Sequence, residues 1–169
     1  MCLLRQEGKE DGILGKSILR MIIDLPKNVE NIIGSLEEHG FEGFAVGGCV
    51  RDSLLKKTPK DWDITTDALP VDMKKIFKKT FDTGIAHGTV TVLMDGVGYE
   101  LTTYRIDGNY SDGRHPDSVS FSKSLSEDLC RRDFTINAMA YSNKKGIVDL
   151  FDGRKDLQNG IIRAVGDAK

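Results

Sequence analysis

No apolar run in this 169-residue chain approaches the roughly 20 residues needed to cross a bilayer, so a membrane partner has no support in the sequence. The N-terminal stretch MCLLRQEGKEDG lacks the long apolar segment of a secretory signal. Cysteine is scarce. Cys2, Cys49 and Cys130 lie far apart, are odd in number and have no zinc-site spacing, which predicts free thiols in a reducing, cytoplasmic setting. Excess positive charge is missing as well. The formal charge is −2, so any nucleic-acid contact needs a local patch or parts outside these residues. There is no internal repeat and no low-complexity segment. A Gly-Lys-Ser/Thr phosphate loop and a G-x-G-x-x-G dinucleotide fingerprint are both absent. No Ser/His/Asp or Cys/His nucleophile arrangement stands out, and His39, His87 and His115 share no metal-ligand spacing. Oligomeric state is left open.

What is present reads as soluble and globular: 39% hydrophobic and 30% charged residues, enough chain for one well-buried core. Residues 1–16 mix charge and glycine without period and are expected to be a loose tail, with one domain over 17–169. A helix is predicted over Pro26–His39, where Val29, Ile32, Ile33 and Leu36 recur at helical spacing and Gly40 follows as a stop. Phe44–Val46 reads as a buried strand entering Gly47-Gly48. Val50–Lys57 reads as a short helix, Asp61–Thr66 as a strand and Pro70–Lys79 as a helix. Thr89–Met94 and Tyr99–Arg105 form strands around the turn signal Asp95-Gly96-Val97-Gly98. The polar segment Ile106–Ser118 reads as a mobile loop. Val119–Phe121 is a further strand candidate. Ser124 and Glu127 form a capping box ahead of a helix through Leu129, and a second helix is expected around Phe134–Ala140, N-capped by Asp133. Ile147–Leu150, a turn at Asp152-Gly153 and Ile161–Val165 complete the elements. The class is α/β (α+β), a mixed sheet flanked by helices.

Chemistry concentrates at a few places. Gly47-Gly48 lets the backbone approach an anion, and Arg51 offers a charged fork one turn later; an ordinary strand-to-helix turn has the same appearance. Asp52, next to Arg51, orients that arginine. Asp61 and Asp63 share one side of an extended segment, where two carboxylates repel unless a hard cation such as Mg²⁺ sits between them; a solvated strand start is the plainer reading. Trp62 faces the opposite side, towards core. Glu100, a charge inside a strand-like run, is the candidate third carboxylate for a two-metal site or else an exposed cross-strand partner; Asp95, in the hairpin turn, is a poorer choice. Arg131 and Arg132 reach towards a triphosphate or form a surface basic pair, and Asn137 bonds a sugar or another loop.

Taken in order, Gly47-Gly48-Cys49-Val50-Arg51-Asp52, Asp61-Trp62-Asp63-Ile64-Thr65-Thr66 and Arg131-Arg132-Asp133-Phe134-Thr135-Ile136-Asn137-Ala138 resemble the head domain of class II tRNA nucleotidyltransferases, the CCA-adding enzymes, with bacterial poly(A) polymerases as close relatives. The resemblance covers residues 26–167. It implies a DNA polymerase β-like nucleotidyltransferase fold, with Asp61, Asp63 and Glu100 as Mg²⁺ ligands in a two-metal site. It also implies Gly47, Gly48, Arg51, Arg131, Arg132 and Asn137 around the triphosphate of CTP or ATP. The segment with Arg105, Asp112, Arg114 and Pro116 resembles the family's flexible loop, which assists the switch to adenosine. The implied reaction is attack of a tRNA 3′-hydroxyl on the α-phosphate, with pyrophosphate leaving. Poly(A) or A-only addition, and nucleotide binding without turnover, are the alternatives. The family continues past Gly166-Asp167 into a nucleotide-selecting helix and tRNA-gripping domains, so the chain is expected to be a truncated head. Lys56 replaces a helix-ending glycine, and a left-handed lysine there costs about 1 kcal/mol.

Overall fold

Alternate residues of a strand face opposite sides of a sheet. In the computed structural model of the chain, which describes residues 22–108 and 119–166, that rule divides the core in two. Strand β1 (Gly43–Val46) sends Ala45 into one buried cluster and Phe44 and Val46 into another. Its partner β2 (Ile64–Thr66) is antiparallel, and the register Ala45–Ile64 puts Ile64 in the first cluster. Among the described residues the sheet has seven strands in the order β3 (Thr80–Gly84), β4 (Thr89–Met94), β5 (Val97–Thr103), β2, β1, β8 (Met139–Ser142), β9 (Gly146–Asp149). Only β2 and β5 run parallel; the other neighbours are antiparallel. A separate ribbon pairs β6 (Arg105–Asp107) with β7 (Val119–Phe121).

Helices cover the larger cluster. Helix α1 (Lys27–Glu38) buries Val29, Ile32, Ile33 and Leu36, each worth about 1.5–3 kcal/mol relative to exposure. Helix α2 (Gly48–Leu54) adds Cys49 and Val50, and α3 (Pro70–Ile76) adds Met73. On the opposite face Leu129 of α4 (Leu125–Cys130) packs with Phe44, Val46, Tyr104 and Ala140. The mixed sheet with flanking helices is the expected class. Among the described residues, no helix is long and apolar enough to cross a membrane.

Helix α1 and strands β1, β4 and β7 agree with the sequence reading, but the turn expected over Asp95–Gly98 shortens to Asp95-Gly96, because β5 spans Val97–Thr103 rather than Tyr99–Arg105. Both turn residues have positive φ, 50° and 78°, as a type I′ hairpin requires. Lys56 is left-handed, with φ 56°. Other expectations change. Helix α2 starts at Gly48 and ends at Leu54, not Lys57. Helix α3 stops at Ile76, because the chain turns into the unanticipated edge strand β3. Strand β2 begins at Ile64 rather than near Asp61, and only the Asp63 carbonyl extends its ladder, accepting from the Val46 N–H at 3.0 Å. The helix expected over Phe134–Ala140 is a 3₁₀ turn (Thr135–Asn137) followed by β8. β-Branched Thr135 and Ile136 weaken helix there, and pairing with β1 and β9 decides the rest. Asp133 consequently caps no helix. Helix α5 (Gly153–Asn159), with Leu157 as its sole large apolar residue, has no apolar period to betray it. Ile161–Val165 forms no strand, only a bridge between Phe134 and Ala164.

The capping box is also replaced. Ser124 makes no side-chain cap. The Ser122 hydroxyl accepts from the Ser124 N–H at 2.9 Å and donates to Glu127. Cys49 is the expected free, buried thiol, and burial pushes it up to about 11. Cys130 is disulfide-bonded, contrary to expectation, since sequence separation sets no bound on distance in space. The expected tail over 1–16, with Asp112, Arg114, His115 and Pro116, lies outside the described residues.

Candidate functional site

The parallel pairing of β2 with β5 builds one half of the site. The register Ile64–Leu101 buries both side chains. One residue back along each strand, Asp63 and Glu100 come side by side on the other face of the sheet. Asp61 lies two residues further along the extended entry. All three carboxylates line a cleft of about 480 Å³, with Lys60, Trp62 and Tyr99. Trp62, half-buried, also packs against the larger core cluster, as expected. Glu100 is at once a cross-strand partner, opposite Thr91, and a cleft residue, so the two sequence readings coincide.

The Asp63 carboxyl is held above the ordinary aspartate range. Its residue opens onto the cleft, yet desolvation by surrounding protein is the largest cause. The negative charge of Glu100 comes next, Arg132 pulls the other way, and Asp61 adds further repulsion. Among the described residues, no group of three or more His, Cys, Asp or Glu side chains is gathered closely enough to hold a metal ion. The donor set nevertheless fits a hard cation: carboxylate oxygens close enough to repel one another, facing a polar cleft.

The other half of the site is made of arginines. Gly47, at φ 81°, turns β1 into α2, and a Cβ built there would stand 3.2 Å from Arg132 Nη1. The positive φ favours glycine, and the guanidinium lies close against the turn. Arg51, one turn into α2, donates from Nε to Asp52 Oδ1 at 2.9 Å and from Nη1 to Asn137 Oδ1 at 2.7 Å. Asp52 therefore orients Arg51 as expected, while Asn137 meets a side chain rather than a loop. Arg131 Nε donates to Asp128 Oδ1 at 3.1 Å and Arg132 Nη2 to Asp128 Oδ2 at 3.4 Å. Burial lowers the proton affinity of Arg132, and Asp128 counters that effect.

A third layer holds the 3₁₀ turn that carries Asn137. Thr135 Oγ1 donates to Asp156 Oδ2 at 2.6 Å, and Arg163 Nε donates to the same oxygen at 2.9 Å. These bonds hold Asp156 below the ordinary aspartate range. Gly153, at the start of α5, leaves no space at all: a Cβ there would stand 2.2 Å from the Thr135 carbonyl oxygen.

The structure brings Asp61, Asp63 and Glu100 to one cleft, and Gly47, Gly48, Arg51, Arg132 and Asn137 to one turn. Arg131 joins them through Asp128. Arg105 stands apart, at the root of the β6–β7 ribbon, donating from Nη1 to the His87 carbonyl at 2.9 Å. Sequence reasoning missed Asp128 and Asp156. Asp128 had a signal: an acid three and four residues before Arg131 and Arg132 on a helix. Asp156 had none, since its partners are 21 residues upstream and 7 downstream.

A family model described as "Poly A polymerase head domain" matches residues 43–163. The chain is 53% identical over 146 residues to the CCA-adding enzyme of Pediococcus pentosaceus, covering 85% of this chain and 37% of that protein. It is 54% identical over 150 residues to the CCA-adding enzyme of Ligilactobacillus salivarius, covering 89% and 37%. Among solved structures, the Bacillus stearothermophilus CCA-adding enzyme in complex with CTP superposes with a TM-score of 0.73 at 48% identity, over 80% of this chain and 32% of that one. The Thermotoga maritima CCA-adding enzyme complexed with tRNA gives 0.63 at 26% identity, over 82% and 32%. The chain thus spans about a third of the length of the relatives it matches.

Proposed function

The chain belongs to the poly(A) polymerase head-domain family, with the polymerase β-like nucleotidyltransferase fold of the CCA-adding enzymes, and from that premise we propose that it is the catalytic head of an enzyme adding CMP and AMP to the tRNA 3′ end. One observation carries the reading. Strand pairing sets Asp63 beside Val46, the residue before the Gly47 turn, and the charges of Glu100 and Asp61 push its carboxyl up while that of Arg132 pulls it down, so the acidic cleft and the cationic turn both act on one residue.

The two halves divide the work. Arg51 and Arg132 bind the triphosphate of CTP or ATP beside Gly47-Gly48, whose missing side chains let the phosphates approach the backbone. Asn137 and Asp52 fix the Arg51 fork, so little ordering remains to be done on binding. Asp61, Asp63 and Glu100 are the residues that would hold Mg²⁺. When bound, Mg²⁺ neutralises charge on the α-phosphate and favours the ionised 3′-hydroxyl. The cleft gives the RNA end its approach to that phosphate, and Trp62 supplies an apolar wall.

The relatives named CCA-adding enzymes and the neighbour solved with CTP support the choice of substrates. The family's poly(A) polymerase description supports a second reading, long adenosine tailing. The full-length protein, given CTP and ATP with a tRNA lacking its CCA end and separately with generic RNA, distinguishes them. Addition that stops after three nucleotides on tRNA alone is expected. An adenosine tail on both RNAs would favour the second reading, and no addition to either would refute both.

A further inference from the structure

One buried carboxylate belongs to neither half of the proposed site, yet is bonded towards both. Asp128 is fully buried. Its Oδ2 accepts from Thr65 Oγ1 at 3.0 Å and from Arg132 Nη2 at 3.4 Å. Its Oδ1 accepts from Arg131 Nε at 3.1 Å and from the Arg105 N–H at 3.4 Å. Thr65 is on β2, two residues beyond Asp63 and on the same face. Arg105 opens β6.

Arg132 is otherwise poorly held. Its Nε is buried with no hydrogen-bond partner among the described residues. Its Nη1 lies against the Gly47 turn. Burial works against its charge, and Asp128 is the largest influence opposing that cost. Two guanidinium groups share this one carboxylate, one on each oxygen, and the Arg132 group lies beside Gly47.

We propose that Asp128 is a positioning residue for the triphosphate: it ties Arg132 to Thr65 on the strand that Asp63 leads into, and so fixes the cationic turn relative to the acidic cleft. The inference rests on the site proposed above and adds to it a group that touches no substrate. Loss of the carboxylate frees the guanidinium to swing away from the turn, so phosphate binding suffers and recognition of the nucleoside does not.

The test uses the full-length protein, Mg²⁺, and two probes: CTP with a non-hydrolysable α,β-methylene bridge, and CMP. Asp128→Asn is expected to weaken the triphosphate analogue about 10- to 100-fold, the range for losing a charged hydrogen bond, and CMP by less than about 3-fold, an effect within the loss of one weak neutral contact. Arg132→Lys is expected to weaken the analogue in the wild-type background and to add little on top of Asp128→Asn. Equal loss for both probes, unchanged affinity for the analogue, or additive effects of the two substitutions would overturn the inference. If Arg132→Lys has no effect in the wild type, the triphosphate site itself is wrong and the inference falls with it. Should Asp128→Asn fail to fold, Asp128→Glu keeps the charge and moves the guanidinium by one methylene. The same selective loss of analogue over CMP is then expected, and an unchanged ratio of the two affinities overturns the proposal.

Discussion

The acidic cleft and the cationic turn are built on opposite plans. Asp61, Asp63 and Glu100 face solvent from a strand entry and a strand, repel one another, and make no hydrogen bond to a cation of the chain that would relieve them among the described residues. Arg51, Arg131 and Arg132 are already bonded, to Asp52, Asn137 and Asp128. A group that waits for a small ion can stay open, because the ion brings its own attraction and its own water. A group that must grip a long, flexible phosphate chain gains from being ordered beforehand, since ordering it on binding costs about 0.5–1.5 kcal/mol per side chain.

This contrast breaks first at Asp61. Asp61→Asn is expected to lower nucleotide incorporation by at least about 10²- to 10³-fold, as for loss of one preorganised electrostatic partner. The thermal midpoint should stay level or rise, because a repelling charge is gone. A large drop in the midpoint would mean the carboxylate is structural. The next effect is on stability and lies behind the cationic turn. Gly153→Ala drives a methyl group into the Thr135 carbonyl and should cost about 1–3 kcal/mol in urea unfolding. An unchanged midpoint would show that α5 is free to move away from the turn.

A smaller change sharpens the comparison. Asn137→Ala removes the acceptor that holds Arg51 Nη1, and should raise KM for CTP about 10-fold, within the range for a hydrogen bond to a charged group. Near-equal kcat is expected, since the acids are untouched. The smallest effect concerns pH. Asp156 is held below the ordinary value of 3.8. Its contribution to stability is therefore complete above that value and is lost as pH falls through its folded pKa. The stability gap between wild type and Asp156→Asn should be constant near neutrality and close on acidification below about 4. A gap that widens on acidification would reverse the assignment.

The cleft was far more legible in the sequence than the supports of the turn. Asp61, Asp63 and Glu100 announce themselves because charge stands out in apolar, strand-like runs. Their pairing across β2 and β5 needs only a parallel register. Gly47-Gly48 and Arg51 are likewise local. What holds the arginines is only partly local, through Asp52 and Asp128. Asn137 reaches Arg51 across 86 residues, and α5 supports Asn137's turn through the close approach at Gly153 and the Thr135–Asp156 hydrogen bond. Helix α5 carries no apolar period, and β8 was hidden by a run read as helix until its pairing with β1 and β9 is known. Asp128 alone had a helical signature towards its arginines. Its bond to Thr65 spans 63 residues.

The central claim is that the acidic cleft and the cationic turn form one transfer site, with Asp63 at their meeting point. Single-turnover incorporation of labelled CMP from CTP into a tRNA lacking its CCA end, by the full-length protein with Mg²⁺, tests it most directly when wild type is set beside Asp63→Asn. Incorporation by the wild type and none above background by a folded Asp63→Asn variant is the expected result. Incorporation by that variant near the wild-type rate would contradict the claim.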